Sequence, residues 1–191
     1  VAAVVEAVGD VPVGVNVLRN DARAPLGICA ATGARFVRIN VHVGAAVTDQ
    51  GLIEGDAATT LRERQRLCPG VALLCDVHVK HAAPLGGGSI ESAARDTLLR
   101  GLADALIVSG VATGSAPDVA RLVAVRKAVP GAPLLIGSGL AETNARKLLA
   151  HCNGAIVGTS LKRGGEVGQP VEAVRVVRMR KLFDKLASRA K

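Results

Sequence analysis

The sequence predicts an α/β fold: a parallel sheet curled as a TIM-barrel-like (β/α) structure, with about six of a full barrel's eight units in this chain. Three observations carry this reading. Short β-branched runs alternate with helix-compatible segments along the whole chain, at spacings that suit right-handed βαβ units. The runs are nearly all apolar, as parallel strands covered on both faces must be. Their polar residues gather at the C-terminal ends, where a barrel carries its site. A doubly wound open sheet is the competing architecture, but no G-x-G-x-x-G follows the first strand. By length, residues 1–191 form one domain with enough chain for a single core.

Val1 to Val8 is helix-compatible and is broken by Gly9-Asp10. Val11 to Leu18 is the first strand, followed by the polar loop Arg19-Asn20-Asp21 and an Ala-rich helix that Thr32-Gly33 ends. Phe36 to His42 is the second strand. A long loop follows, holding Thr48-Asp49-Gln50-Gly51 and Glu54-Gly55. Asp56 is the expected N-cap of a helix reaching Cys68, which Pro69-Gly70 stops. The third strand runs from Val71 through Lys80 into the glycine-rich loop Gly86-Gly87-Gly88. Ser89 then caps a helix ending near Arg100-Gly101. Asp104 to Gly110 is a strand, and Ser115-Ala116-Pro117-Asp118 opens a helix to Val129 in the manner of a capping box. Pro133 to Gly139, a helix from Glu142 to His151, and Ala155 to Ser160 complete the alternation. The last helix carries Val176, Met179, Phe183, Leu186 and Ala190 at steps of three and four.

Inside the third strand the period of two puts Asp76, His78 and Lys80 on one face. An acid, an imidazole and an amine in a row are costly to bury unless they serve one another or a ligand. In a barrel interior they would form a ladder towards the mouth; on a half-exposed strand they would be a wet face. His78 suits proton transfer near neutral pH, with Asp76 or Lys80 tuning it. Two further chemistries stay open: a Schiff base on Lys80, and a divalent metal held by Asp76, His78 and His42, although no H-x-H or H-E-x-x-H spacing supports a metal. No cofactor is required by the sequence. The same alternation turns Asn16, Arg38, Asn40, Ser109 and Ser138 inward as substrate-binding candidates. Gly137-Ser138-Gly139 and Gly158-Thr159-Ser160, with Lys162 beyond, follow the last two strands, where barrels commonly bind phosphate on backbone N–H groups.

Composition narrows the function classes. The chain is 49% apolar, yet Phe36 and Phe183 are its only aromatic residues, so base stacking is essentially unavailable and nucleic acid is not an expected partner. Of the formal charge of +8, a net +6 lies between Lys162 and Lys191. That excess reads as a solvated basic helix, with an acidic protein or membrane surface, or a second copy of the chain, as alternative partners. Cys29, Cys68, Cys75 and Cys152 show neither C-x-x-C nor zinc spacing and read as small apolar residues of a reducing cytoplasm. No signal peptide and no apolar run of membrane-spanning length is present, so a soluble cytoplasmic protein is expected.

Several stretches resemble the BtpA family: G-V-N-V-L-R-N-D (Gly14 to Asp21), R-I-N-V (Arg38 to Val41) and T-D-Q-G-L-I-E-G (Thr48 to Gly55). So do D-V-H-V-K-H-A (Asp76 to Ala82), G-L-A-D-A-L-I-V-S-G (Gly101 to Gly110) and V-G-T-S-L-K (Val157 to Lys162). The resemblance runs through almost the whole chain in order. Asp49, within the third stretch, joins the substrate-binding candidates. The resemblance implies a (β/α)8-type barrel in which family members carry two further strands before Val13, so that this chain begins in the second helix. It also implies a link to photosystem I biogenesis, although nothing in the residues points to thylakoids. Two functions follow as expectations. One is proton-transfer chemistry of isomerase, epimerase or aldolase type on a phosphorylated small molecule, such as a sugar phosphate. The other is a non-catalytic assembly or stability factor that uses the barrel as a scaffold and works through the basic face at Arg175, Arg178, Lys181 and Lys185.

Overall fold

Each apolar run becomes a short strand, and the strands lie side by side in the order in which the chain makes them. The structure is a computed structural model that describes residues 1–18, 20–79, 81–110 and 115–188. Its elements begin with α1 (Ala2–Val8), β1 (Gly14–Val15), α2 (Arg23–Thr32), β2 (Phe36–Ile39), β3 (Ala45–Thr48), β4 (Gly51–Glu54), α3 (Ala57–Leu67) and β5 (Ala72–Asp76). They continue with β6 (Ala82–Pro84), α4 (Ile90–Arg95), a π-helical turn (Asp96–Arg100), β7 (Ala105–Val108), α5 (Val119–Ala128), β8 (Leu134–Ile136), α6 (Ala145–Leu149) and β9 (Gly154–Ala155). Two 3₁₀ turns (Thr159–Leu161 and Arg163–Gly165) lead into α7 (Ala173–Ala187).

The main sheet is parallel throughout, in the order β1-β2-β5-β7-β8-β9. A doubly wound sheet would reverse direction at a switch point; this order has no reversal, so the sheet curls one way as part of a barrel. The helices cover its outer face, and Leu26, Leu122 and Val125 of the helices share one buried core with Leu73, Leu106 and Leu134 of the strands. Caps define the helix ends. The Asp56 carboxylate accepts from Thr59 N at 3.1 Å, Ser89 Oγ from Ser92 N at 3.2 Å, and Gly33, at φ 76°, closes α2 with its N–H on Cys29 O.

Several expectations need correction. The long loop after β2 is a hairpin: β3 and β4 pair antiparallel through Asp49-Gln50, and β6 adds a third strand in the order β4-β3-β6. Val41, Ala46 and Val79 form a small core beneath it. The α5 helix is capped by Asp118, whose carboxylate accepts from Ala120 N at 3.1 Å; Ser115 lies outside it. The strand expected through Ser160 stops at Ala155, because Thr159–Leu161 coils into a 3₁₀ turn. On α7, Met179 is buried and Phe183 packs on the core, but Val176 is exposed, as are Val174 (55%) and Val177 (52%). The apolar stripe is thus met by core only along its second half; Ala190 lies outside the described residues. Cys29 and Cys75 are buried, Cys68 and Cys152 half-buried, and none is paired. Burial pushes the Cys29 and Cys152 thiols up to about 11. No helix of the described residues is long and apolar enough to cross a membrane.

Candidate functional site

The C-terminal ends of β1, β2 and β5 carry one connected polar network on the concave side of the sheet. Pairing sets Arg38 beside Leu74, so Arg38, Asn40 and Asp76 share the inward face. Arg38 grips Asp76 with two donors, Nε to Oδ2 at 2.9 Å and Nη2 to Oδ1 at 2.8 Å. Asn40 Nδ2 donates to the same Oδ2 at 2.9 Å, and Asn16 Nδ2 reaches Arg38 O at 2.9 Å and Asn40 Oδ1 at 3.4 Å. The Asp76 side chain is wholly buried while Arg38 keeps 17% exposure, so the guanidinium is the part of the pair that faces the opening.

The ladder expected along β5 does not continue past Asp76. The strand ends there, and His78 adopts a left-handed backbone (φ 51°), which turns its ring away from a simple alternation with Asp76. Asp76 and His78 nevertheless line one cavity of about 320 Å³. The hairpin side of this cavity is formed by Ala45, Ala46 and Ala82, the opposite side by Gly87, Ser89, Ser92 and Asp96. Burial holds the His78 imidazole below its ordinary value, and the nearby Arg121 charge adds to this while Glu91 opposes it. A neutral imidazole at neutral pH is suited to accept a proton. Lys80 lies outside the described residues.

A second cavity, of about 400 Å³, opens at the ends of β8 and β9. Gly137, Ser138 and Gly139 line one side, Gly158, Thr159 and Ser160 the other, and Arg175 of α7 closes it. The turns are locked to their surroundings: Ser138 Oγ donates to Ser115 O at 2.9 Å and Ser160 Oγ to Leu140 O at 2.7 Å. Gly139, at φ 73°, touches the chain so closely that a Cβ there would lie 2.1 Å from Ala116 N. Arg175 is oriented by Glu172 (Nε to Oε2, 2.8 Å) and by Ser160 O (Nη1, 3.3 Å). Lys162 does not join it; its ammonium donates to Val167 O instead. The two sites adjoin, since a Cβ on Gly137 would stand 3.5 Å from Arg38 Nη2 and 2.3 Å from Ser109 Oγ. Ser109 itself is buried, and its hydroxyl has no partner among the described residues. Asp49 is exposed at the hairpin tip and lines neither cavity.

His42 does not gather with Asp76 and His78. Its ring is buried on the outer side, with Nε2 on Gly101 O at 2.7 Å, and burial lowers its pKa. Among the described residues no three His, Cys, Asp or Glu side chains converge where a metal ion would sit. Sequence reasoning missed three residues. Arg175 was one charge in a basic helix, and only the fold brings it to the glycine turns. Arg121 stands on a helix with no motif around it. Asn20 (φ 68°) ties the first loop to the hairpin, accepting from Val41 N at 2.6 Å and donating to Glu54 O at 3.2 Å; an Asn in a polar loop was the available signal.

Comparison with solved structures supports the architecture. The phosphoribosylanthranilate isomerase of Pyrococcus furiosus superposes with a TM-score of 0.60 at 13% identity, over 96% of this chain and 79% of that one. The native KDPGal structure gives 0.62 at 19% identity, over 99% of this chain and 75% of that one. At such identities the likeness establishes a barrel-type fold and nothing of the chemistry. Sequence relatives are nearer. The photosystem I biogenesis protein BtpA of Synechocystis sp. is 50% identical over 165 residues, 86% of this chain. An uncharacterized protein of Thermococcus kodakarensis is 44% identical over 188 residues, 97% of this chain and 71% of its own length. This chain spans 58% of the length of the cyanobacterial relative. The sequence model of the BtpA family matches residues 1–185, from α1 almost to the end of α7, and the chain belongs to that family.

Proposed function

We propose that the chain forms the working face of a barrel enzyme that holds the phosphate of a small molecule, such as a sugar phosphate, and moves a proton beside its carbonyl. One observation carries this: two glycine-bearing turns and Arg175 line a single cavity that adjoins the buried Asp76–Arg38–Asn40 network. Glycine lets an anion approach the backbone, hydroxyls and a guanidinium add donors, and this end of the last strands is where barrels commonly bind phosphate. Asp76 already accepts three hydrogen bonds from Arg38 and Asn40, so it serves to fix Arg38 rather than to move protons. Arg38 steadies a developing oxyanion, and His78 takes the proton. Isomerase, epimerase and aldolase chemistry all need this pair of roles.

A thermal melt with inorganic phosphate and a panel of sugar phosphates tests the reading. A ligand at about a hundred times its dissociation constant adds about 2.7 kcal/mol and raises the midpoint. Arg175→Gln is expected to abolish that rise, and His78→Asn to abolish turnover while leaving it intact. A rise that survives Arg175→Gln would place the phosphate elsewhere.

A second reading rests on the cyanobacterial relative's name and on α7, which exposes Val174 and Val177 beside basic residues. There the barrel is a scaffold for assembly, and α7 meets an acidic protein or membrane surface. Neutralising Arg178, Lys181 and Lys185, with Arg175 kept, is expected to abolish partner pulldown under this reading and to leave phosphate binding unchanged under the first.

A further inference from the structure

His78 has a second side. Behind it, at the ends of β5 and β7, lies another cavity of about 330 Å³, bordered by His78, His81, Gly110 and Arg121. No acidic residue is among its described lining. Arg121 stands in the first turn of α5, and its Nε is enclosed by protein without a hydrogen-bond partner among the described residues. A guanidinium stays charged at any physiological pH and presents its donors as a planar fork that fits an oxyanion. A buried donor left unmade is costly and calls for an explanation. His78 and His81 both adopt left-handed backbone, at φ 51° and 56°, and both residues border this space. Such backbone is uncommon outside glycine and marks positions that the surroundings over-determine.

The cavity lies at the same end of the sheet as the glycine turns. A Cβ on Gly110 would stand 2.3 Å from Ser115 O, and one on Gly139 2.1 Å from Ala116 N. The same short stretch, Ser115-Ala116, therefore separates the two cavities. One is centred on the ends of β5 and β7 and the other on the ends of β8 and β9, about two strand spacings away, or about 10 Å.

We propose that Arg121 and His78 form a second anion subsite, and that the ligand of this mouth carries two anionic groups about 10 Å apart. One is the phosphate held at Gly137–Gly139, Gly158–Ser160 and Arg175. The other is a phosphate or carboxylate at the far end of the same molecule, received by the Arg121 fork. This assignment rests on the phosphate reading of the first cavity. A polyol or sugar chain of about five carbons, charged at both ends, spans that distance. With His78 between the network and the anion, the second group also anchors the substrate beside the proton-transfer residue.

The test uses two synthetic probes, pentane-1,5-diyl bisphosphate and pentyl phosphate, titrated calorimetrically into the whole chain. The bisphosphate is expected to bind at least about tenfold more tightly, a difference of about 1.4 kcal/mol. Arg121→Gln is expected to remove that advantage and leave pentyl phosphate binding unchanged. Arg121→Lys, which keeps the charge and loses the fork, should retain part of it. Arg175→Gln should weaken both probes. Equal affinities in the unaltered chain, or an advantage that persists in Arg121→Gln, would overturn the second subsite. Binding of one phosphate that depends on Arg121 and ignores Arg175 would leave the Arg121 site standing, remove the phosphate from the glycine turns, and so refute the two-anion ligand.

Discussion

Asp76 and Arg38 illustrate how far a single side chain can be argued. A carboxylate with no exposure is costly, and two Arg38 donors and one from Asn40 help to offset that cost. Removing one member of such a pair strands the other. Asp76→Leu or Arg38→Met alone is therefore expected to cost about 3 kcal/mol in urea unfolding, and the double variant to recover much of it. Single losses well under about 1 kcal/mol would mean that water reaches the pair freely. His42 gives a pH prediction. Its folded pKa is lowered, mainly by burial, so the unfolded chain binds the proton more readily. Stability from His42 is complete above the unfolded value, near 6.5, and is lost as pH falls towards the lower folded value. The melting midpoint should drop from about pH 7.5 to about pH 5.5, and less steeply in His42→Gln, which keeps a donor for Gly101 O. Equal slopes would show that His42 binds its proton equally well in the folded and unfolded chain, so that burial does not disfavour its charged form. At this scale Asp76, Arg38, Asn40 and Asn16 were legible, because strand alternation needs only the pleat. His78 was legible as a residue type but not as a direction, since the alternation ends where the backbone turns left-handed.

Among the elements, the hairpin of β3 and β4 was the least legible. Its strands are only four residues each, Ala-Ala-Val-Thr and Gly-Leu-Ile-Glu, so their alternation is too short to separate them from loop. What seats it over the mouth is a glycine: a Cβ on Gly55 would lie 2.6 Å from the carbonyl carbon and oxygen of His42. Gly55→Val is expected to lift the hairpin and open the cavity beneath it. Amide exchange across residues 45–54 should accelerate by about tenfold or more, while β7 and β8 keep their protection. Unchanged exchange would show that the hairpin is held by β6 and its small core instead. The two glycine turns were readable because they follow apolar runs. Arg175 was not, because helix periodicity says which face is apolar and nothing about which loop the other face meets.

For the whole molecule, strand order is the informative quantity. Six parallel strands in chain order were countable from six apolar runs, but whether the sheet closes is a property of its two ends, which periodicity does not describe. Here β1 and β9 each pair on one side only among the described residues. The two structural neighbours extend beyond the superposed part, which covers 79% and 75% of them; six units of about eight is a similar fraction. Edges unpaired on one side favour contact with further strands. Sedimentation of this chain should show association that grows with concentration. A monomer at every concentration would mean that the edges are too short to template pairing.

The cysteines, finally, make the protein its own stopwatch. Cys75 is buried on β5 in the middle of the sheet, Cys29 on the buried side of α2, and Cys68 and Cys152 lie nearer the surface. Because burial depresses thiolate formation, alkylation waits for each neighbourhood to open. The order in which the four react, followed by mass spectrometry, would chart how the sheet comes apart: rim thiols early, and Cys75 only when β5 leaves β2 and β7.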